Sequence, residues 1–222
     1  ARRSAILRPC AAARRRPVDT MTESTPHFIY LASQSPRRRQ LLEQLGERLS
    51  LLLPDDAEAA EALEAVRPGE APATYVRRVT GLKLQDALRR LNDRHLPPAP
   101  VLCSDTTVAL GRQILGKPRD AQDAADMLAR LSGQTHRVLT AVAIQSGQRG
   151  VDALSDSRVR FAALTPADIA AYIASGEWEG KAGGYAIQGR AAAFVEHISG
   201  SYSGIMGLPL FETAALLKQI RA

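Results

Sequence analysis

A run of hydroxyl and arginine side chains follows the first apolar segment of the chain. The run Ser33-Gln34-Ser35-Pro36-Arg37-Arg38-Arg39 stands where a short strand is expected to lead into a helix. Free backbone N–H groups and the helix dipole favour an anion at a helix start, and Arg37 and Arg38 could add forked hydrogen bonds. A solvated basic turn is the alternative, but cations at this end oppose the dipole. The pattern favours a phosphate site that includes Ser33.

A second candidate is an acidic residue inside an apolar, strand-like segment, in Ser104-Asp105-Thr106-Thr107. Charged residues avoid such positions unless they are paired or bind a metal. A carboxylate at the end of a buried strand suits a magnesium ligand or a general base, with the Thr106 hydroxyl beside it. The alternative is an aspartate that caps a helix or a turn.

Three further charged residues carry weak signals when each is taken alone. Lys117 lies in a tight loop before a helix, where an ammonium could bind phosphate as a point charge, although loop lysines are most often solvated. Lys83 is an ordinary helix residue. Glu58 belongs to an acidic run over residues 55–64 that, taken alone, has the pattern of a solvated face.

Gln188 lies in the glycine-flanked loop Lys181-Ala182-Gly183-Gly184-Tyr185-Ala186-Ile187-Gln188-Gly189. Glycines permit close backbone approach, and an amide both donates and accepts, so this side chain could read the edge of a base. An ordinary turn fits the segment equally well. His136 and His197 lack a neighbouring serine and carboxylate, which disfavours a hydrolase triad, and the chain has no P-loop motif.

Strands and helices that alternate along the chain must position these residues. Apolar runs and turn signals predict strands over 28–32, 49–53, 101–110, 114–115, 137–145, 151–164 and 192–198. Helices are predicted over 36–45, 72–91, 120–131, 165–175 and 208–217. Some neighbouring strands are joined by hairpins, so we expect an α/β fold with a mixed, twisted sheet and helices on its faces.

The charge and cysteine content restrict the function classes. The net charge is +6, but six arginines and one acid in residues 1–20 contribute +5, so the remaining 202 residues carry about +1. We therefore expect residues 1–20 to be a disordered or non-native extension, residues 21–222 to form one domain, and nucleic acid to bind only nonspecifically through the basic tail. No apolar run approaches the roughly 18 to 20 residues of a membrane span. Two cysteines cannot build a disulfide framework or a zinc cluster, which fits a reducing cytoplasm.

Taken in order, these clusters closely resemble the Maf family of nucleotide pyrophosphatases over residues 28–217. The most specific segments are Ser33 to Arg38, Ser104-Asp105-Thr106, Leu115-Gly116-Lys117-Pro118, Leu131-Ser132-Gly133-Gln134-Thr135-His136, Lys181 to Gly189, Gly200-Ser201-Tyr202 and Gly207-Leu208-Pro209-Leu210. Gln40, where a Glu is common in the family, and Ser104, where an Ala is usual, depart from the family pattern.

The resemblance implies an elongated, two-lobed α/β fold with a central cleft. It also implies a homodimer that hydrolyses nucleoside triphosphates to monophosphate and pyrophosphate with a divalent metal, magnesium or manganese. Carried over by position, Asp105 is the proton acceptor or metal-holding carboxylate, with Glu58 as a second metal ligand. Four residues are expected to bind phosphate, namely Ser33, Arg38, Lys83 and Lys117. Substrate choice falls to Arg37, Thr106 and Gln188.

The segment Ile187-Gln188-Gly189 is similar to the branch of the family that prefers dTTP and UTP, and differs from the branch that acts on 7-methyl-GTP. The expected role is the removal of surplus or modified nucleotides. The rival hypothesis is a protein without catalysis, either a nucleotide-sensing regulator of cell division or a nucleic-acid-binding protein.

Overall fold

The computed structural model describes residues 28–56 and 61–222 of the chain. The extension expected over residues 1–20 and the acidic residue Glu58 lie outside this part, so both remain predictions. Among the described residues, no helix is both long enough and apolar enough to cross a membrane.

A mixed sheet of seven strands forms the centre of the fold. The strands are β1 Ile29–Leu31, β2 Leu49–Leu51, β3 Val101–Leu110, β4 Gln113–Leu115, β5 Thr135–Ser146, β6 Arg149–Phe161 and β7 Val195–Ser199. Their order is β2–β1–β3–β5–β6–β7, and β4 pairs with β3 off this path. β1 is parallel to β2 and β3, whereas the other pairs are antiparallel. This confirms the predicted mixed sheet.

Helices flank the sheet. They are α1 Pro36–Gln44, α2 Pro72–Asp93, α3 Ala121–Leu131, α4 Pro166–Ile173, α5 Tyr202–Met206 and α6 Leu210–Arg221. The predicted starts of α3 and α4 are confirmed by side-chain caps. Asp120 accepts a hydrogen bond from the backbone N–H of Asp123, and Thr165 forms a reciprocal capping box with Asp168.

The sequence prediction differs from the structure at the ends of several elements. Residues 190–194, assigned in part to the last strand, form a 3₁₀ turn, and β7 begins only at Val195. The short helix α5 was missed because five residues are too few to show a helical period. The hairpin between β5 and β6 is also tighter than predicted, since Gly147 adopts a φ of 54° that allows a two-residue turn.

One long strand connects two separate apolar clusters. β3 contributes Leu102 to a cluster that includes Leu31 and Leu42, and Val108 to another that includes Phe161. Asp105 lies on β3 between these two positions, and eight of the ten residues of the strand are buried. Asp105 therefore lies between β3 residues that pack into different apolar clusters.

A buried histidine lies within the cluster that contains Phe161. The Nε2 atom of His136 lies 2.7 Å from the Tyr185 hydroxyl, and both rings make edge-to-face contacts with Phe161. His136 Nδ1 has no hydrogen-bond partner among the residues that the structure describes. Burial lowers the pKa of His136 from 6.5 to about 4, so the ring is neutral at pH 7. The contact between His136 and Tyr185 anchors the glycine loop 181–189 to this apolar cluster, because Tyr185 belongs to that loop.

We predict that His136 makes folding stability depend on pH. In the unfolded chain His136 binds a proton near pH 6.5, whereas the folded ring binds one only near pH 4. The contribution of His136 to the free energy of unfolding is therefore fully present above pH 6.5 and is lost as the pH decreases toward 4. The slope attributable to this group is about 1.4 kcal/mol per pH unit. Urea unfolding at several pH values should show that His136→Gln removes this part of the slope.

The matched control is His197→Gln, because His197 is exposed on β7. It should keep the pH slope of the unchanged protein. An identical slope for the unchanged protein and His136→Gln would contradict the account of a neutral, buried His136.

Candidate active site

A cleft of about 460 Å³ opens beside Asp105 and Thr106 of β3. Its walls come from the start of α1, the centre of β3, the loop after β4 and the glycine loop 181–189. The predicted residues Ser33, Arg37, Arg38, Lys83, Asp105, Thr106, Lys117 and Gln188 all line it. Segments far apart in the sequence thus contribute to one site, as the resemblance implied.

Lys83 links two carboxylates at one end of the cleft. Its Nζ atom lies 2.5 Å from Asp105 Oδ1 and 2.7 Å from Glu64 Oε1. The side chain of Asp105 is only 9% exposed, and that of Glu64 is 21% exposed. A carboxylate so far removed from water requires a compensating charge, which the ammonium supplies. The three side chains therefore form one electrostatic unit.

Helix α2 positions this unit by holding the acidic segment as well as Lys83. The Tyr75 hydroxyl donates to the backbone carbonyl of Glu64 at 2.9 Å. Arg78 donates to the carbonyl of Ala65 at 2.8 Å and forms a buried ion pair with Glu70. Burial raises the pKa of Tyr75, which keeps the phenol protonated as a donor. Glu64 therefore reaches the cleft because its backbone is fixed on both sides.

Lys117 completes the acidic end. Its Nζ lies 2.9 Å from Glu61 Oε1 and 3.0 Å from Glu64 Oε2. Burial acts to raise the pKa of Glu64, but the ammonium groups of Lys83 and Lys117 outweigh it and bring that pKa below its ordinary value. Burial acts to lower the pKa of Lys117, and Glu61 with Glu64 reverses this to a net increase. The Glu64 carboxylate and the Lys117 ammonium are thus both charged at neutral pH.

Arg38 joins α1 to β3 across the middle of the cleft. Its Nε donates to the Gly207 carbonyl at 2.8 Å, Nη1 to Ser33 Oγ at 3.1 Å and Nη2 to Thr106 Oγ1 at 3.2 Å. Burial lowers its pKa, which Asp105 and Glu64 partly counteract. The guanidinium is held by neutral groups, so its positive charge remains available to an anion.

Gln188 is exposed to the cleft on a loop that is fixed on both sides. The Ala186 N–H donates to the Tyr172 hydroxyl at 3.3 Å, and the Arg190 N–H donates to Glu177 Oε2 at 2.8 Å. A Cβ at Gly189 would lie 2.1 Å from that same carboxylate oxygen, so a larger residue here would displace the Glu177 side chain that holds Arg190. The loop can therefore present an amide to a bound ligand at a defined place.

The sequence missed Glu61 and Glu64 as cleft residues. It described the acidic run as a solvated face, and for Glu64 this is wrong, because that carboxylate is paired with two lysines. Residue type alone could not identify the member of the run that faces Lys83. Cys103 is fully buried beside the site, and burial raises its pKa to about 12, so it is an inert apolar side chain.

The arrangement can bind a polyanion and place a carboxylate beside it. Asp105 Oδ1 is engaged by Lys83, whereas Oδ2 accepts no hydrogen bond from the residues that the structure describes. That free oxygen could orient a water or bind a cation. Among the described ranges there is no group of three or more His, Cys, Asp or Glu side chains that could hold a metal by themselves.

Several known proteins are similar to this chain. A dTTP/UTP pyrophosphatase of Albidiferax ferrireducens is 67% identical over 191 residues, which is 86% of this chain and 96% of that protein. A protein of the same name from Cupriavidus pinatubonensis is 66% identical over 194 residues, 87% of this chain and 97% of the relative. The Ham1 protein of Staphylococcus aureus aligns over 60% of this chain and 71% of its own, with 10% identity and a TM-score of 0.40.

A family model described as Maf-like protein matches residues 28–220, which include every described residue of the cleft. The chain belongs to the Maf-like protein family.

Proposed function

We propose that this protein hydrolyses nucleoside triphosphates, with dTTP and UTP preferred, to the monophosphate and pyrophosphate. The main support is that relatives named dTTP/UTP pyrophosphatase match this chain over almost their whole length. The cleft supports the same activity, since it joins a base-reading candidate, Gln188, to a cationic site with a nearby carboxylate. The cellular role that follows is the removal of surplus or modified nucleotides.

Asp105 would act on the attacking water. A triphosphate repels hydroxide because of its negative charge, and its leaving group gains charge in the transition state. Asp105 Oδ2 can accept a proton from a water or orient it toward the α phosphorus, while Lys83 holds the other oxygen at 2.5 Å. Lys83 thus fixes the direction in which the carboxylate acts.

The arginines and lysines would stabilise the departing pyrophosphate. Arg38 is already held by Ser33, Thr106 and Gly207, so it can bind a phosphoryl oxygen without losing side-chain freedom at that moment. Arg37 stands at the same helix start, and Lys83 and Lys117 lie at the other end of the cleft. Fixed charges of this kind oppose the negative charge that develops on the leaving group.

A divalent cation, magnesium or manganese, is part of the proposal. Asp105 fits it through the free Oδ2, because magnesium is commonly bound by one or two carboxylates together with substrate phosphates. Both oxygens of Glu64 are engaged, Oε1 by Lys83 and Oε2 by Lys117, so Glu64 would bind the cation only in exchange for an ammonium. When bound, the cation would neutralise phosphate charge and polarise a phosphoryl oxygen. Glu58 remains a predicted ligand, outside the described residues.

We further propose that the protein works in the cytoplasm as a homodimer, an expectation that rests on the resemblance. The rival hypothesis of a nucleotide sensor differs in a measurable way, since a sensor would bind nucleotide without releasing pyrophosphate. Nucleic-acid binding that disappears when residues 1–20 are removed would reflect the basic tail.

The activity is tested by pyrophosphate release from dTTP, UTP, CTP, GTP and 7-methyl-GTP, with and without magnesium. Asp105→Asn should lower kcat by about 100-fold or more, because it removes the carboxylate that acts on water. The fold should persist, since the amide occupies nearly the same volume. Asp152→Asn is the control, because Asp152 is exposed and pairs with Arg77 outside the cleft. Near-normal turnover by Asp105→Asn would refute its role.

Gln188 should set base preference more than it affects the chemistry. Gln188→Ala is expected to change the ratio of kcat/KM for UTP to that for GTP by about 3- to 10-fold, the value of one hydrogen bond. The control is Gln219→Ala, an exposed amide on α6. Unchanged ratios across the nucleotide panel would remove Gln188 from substrate recognition.

A further inference from the structure

The charges of the cleft are distributed unevenly. At the acidic end, Lys83 and Lys117 both form ion pairs with carboxylates. Arg37 and Lys181 line the same cleft, and neither forms an ion pair with a carboxylate in the described part of the chain. Two cations without an anionic partner among the described residues therefore line the cleft.

Arg37 is only partly committed to the protein. Its Nε donates to the Met206 carbonyl at 3.3 Å, and its Nη atoms donate no hydrogen bond within the described residues. Burial lowers its pKa, and the neighbouring charge of Arg38 lowers it further. The guanidinium is thus partly removed from water beside another cation, a situation that an anionic ligand would relieve.

Lys181 is in a similar environment on the glycine loop. Its Nζ donates one hydrogen bond, to the Glu179 carbonyl at 2.7 Å, which leaves two of its three donors free. Burial lowers its pKa, and the charge of Arg37 contributes in the same direction. Lys181 thus adds a second cation without a carboxylate partner among the described residues to the cleft that Arg37 lines.

The backbone that carries Lys181 is held in place. Its carbonyl accepts a hydrogen bond from the Gly184 N–H at 2.9 Å, and the Gly183 N–H donates to the Gly116 carbonyl at 3.0 Å. Gly183 has a φ of 70°, and a Cβ there would lie 2.9 Å from the Val108 side chain. The loop is thus packed closely on β3, and Lys181 is placed beside the cleft by packing.

We propose that Lys181 is a phosphate-binding residue that, together with Arg37, forms an anion subsite of the cleft, separate from the ion-paired Lys83 and Lys117. The ligand chemistry is a phosphoryl group, which an ammonium and a guanidinium bind together as point charge and fork. That this phosphoryl group belongs to a nucleotide or its product rests on the proposed function. The group is either the departing pyrophosphate or the α-phosphate that remains on the nucleoside.

Calorimetric titration of the full chain with inorganic pyrophosphate and, separately, with UMP tests the subsite without turnover. Lys181→Met should weaken binding of at least one of them by about 10-fold, the value of a charge-assisted hydrogen bond. Lys181→Arg should restore part of the affinity. Lys218→Met is the matched control, because Lys218 is exposed on α6 and lies outside the cleft, and it should bind as the unchanged protein does.

The two ligands distinguish the sources of the phosphoryl group. Weaker pyrophosphate binding assigns Lys181 to the leaving group, and weaker UMP binding assigns it to the α-phosphate. Unchanged binding of both ligands by a folded Lys181→Met protein, or no binding of either by the unchanged protein, would overturn the proposal. Anion binding that depends on Lys181 without any triphosphate hydrolysis would instead refute the proposed function and leave the subsite standing.

Discussion

The ammonium of Lys83 is the constraint on which the site depends. It lies between the carboxylates of Asp105 and Glu64, at 2.5 Å and 2.7 Å, in a place where neither acid is well solvated. Without it, two negative charges would face each other in the cleft, and the acidic segment would lose its link to β3. The position of this ammonium is determined by the 22-residue helix α2, whose Tyr75, Val76 and Val79 are buried against the sheet.

The remainder of the fold positions cations around that unit. β3 carries Asp105 and Thr106 between two apolar clusters, so their placement depends on packing at both ends of the strand. Arg38 connects α1 to β3 and to the Gly207 carbonyl through three hydrogen bonds to uncharged groups. These bonds fix the orientation of the guanidinium, and none of them pairs it with a carboxylate. The glycine loop forms a further part of the cleft wall, and its Tyr185 is fixed by the contact with His136. Packing and hydrogen bonds thus hold the charged side chains of the cleft in place without a bound ligand.

The sequence predicted most of the fold because caps, prolines and apolar periods are local signals. It also predicted Asp105 and Arg38, since an acid in an apolar strand and a cation at a helix start each conflict with their surroundings. Glu64 could not be distinguished from the other acids of its run, because its selection depends on Tyr75 and Lys83, which are distant in sequence. The sequence also could not show that Lys181 lacks a carboxylate partner among the described residues, because only the structure shows which lysines form ion pairs.

We expect this cleft to direct water to the α phosphorus of a nucleoside triphosphate. Hydrolysis of UTP in ¹⁸O-labelled water with magnesium, followed by mass spectrometry of both products, tests it most directly. Attack at the α phosphorus should give labelled UMP and unlabelled pyrophosphate. Label in pyrophosphate, release of orthophosphate, or the absence of hydrolysis would contradict it.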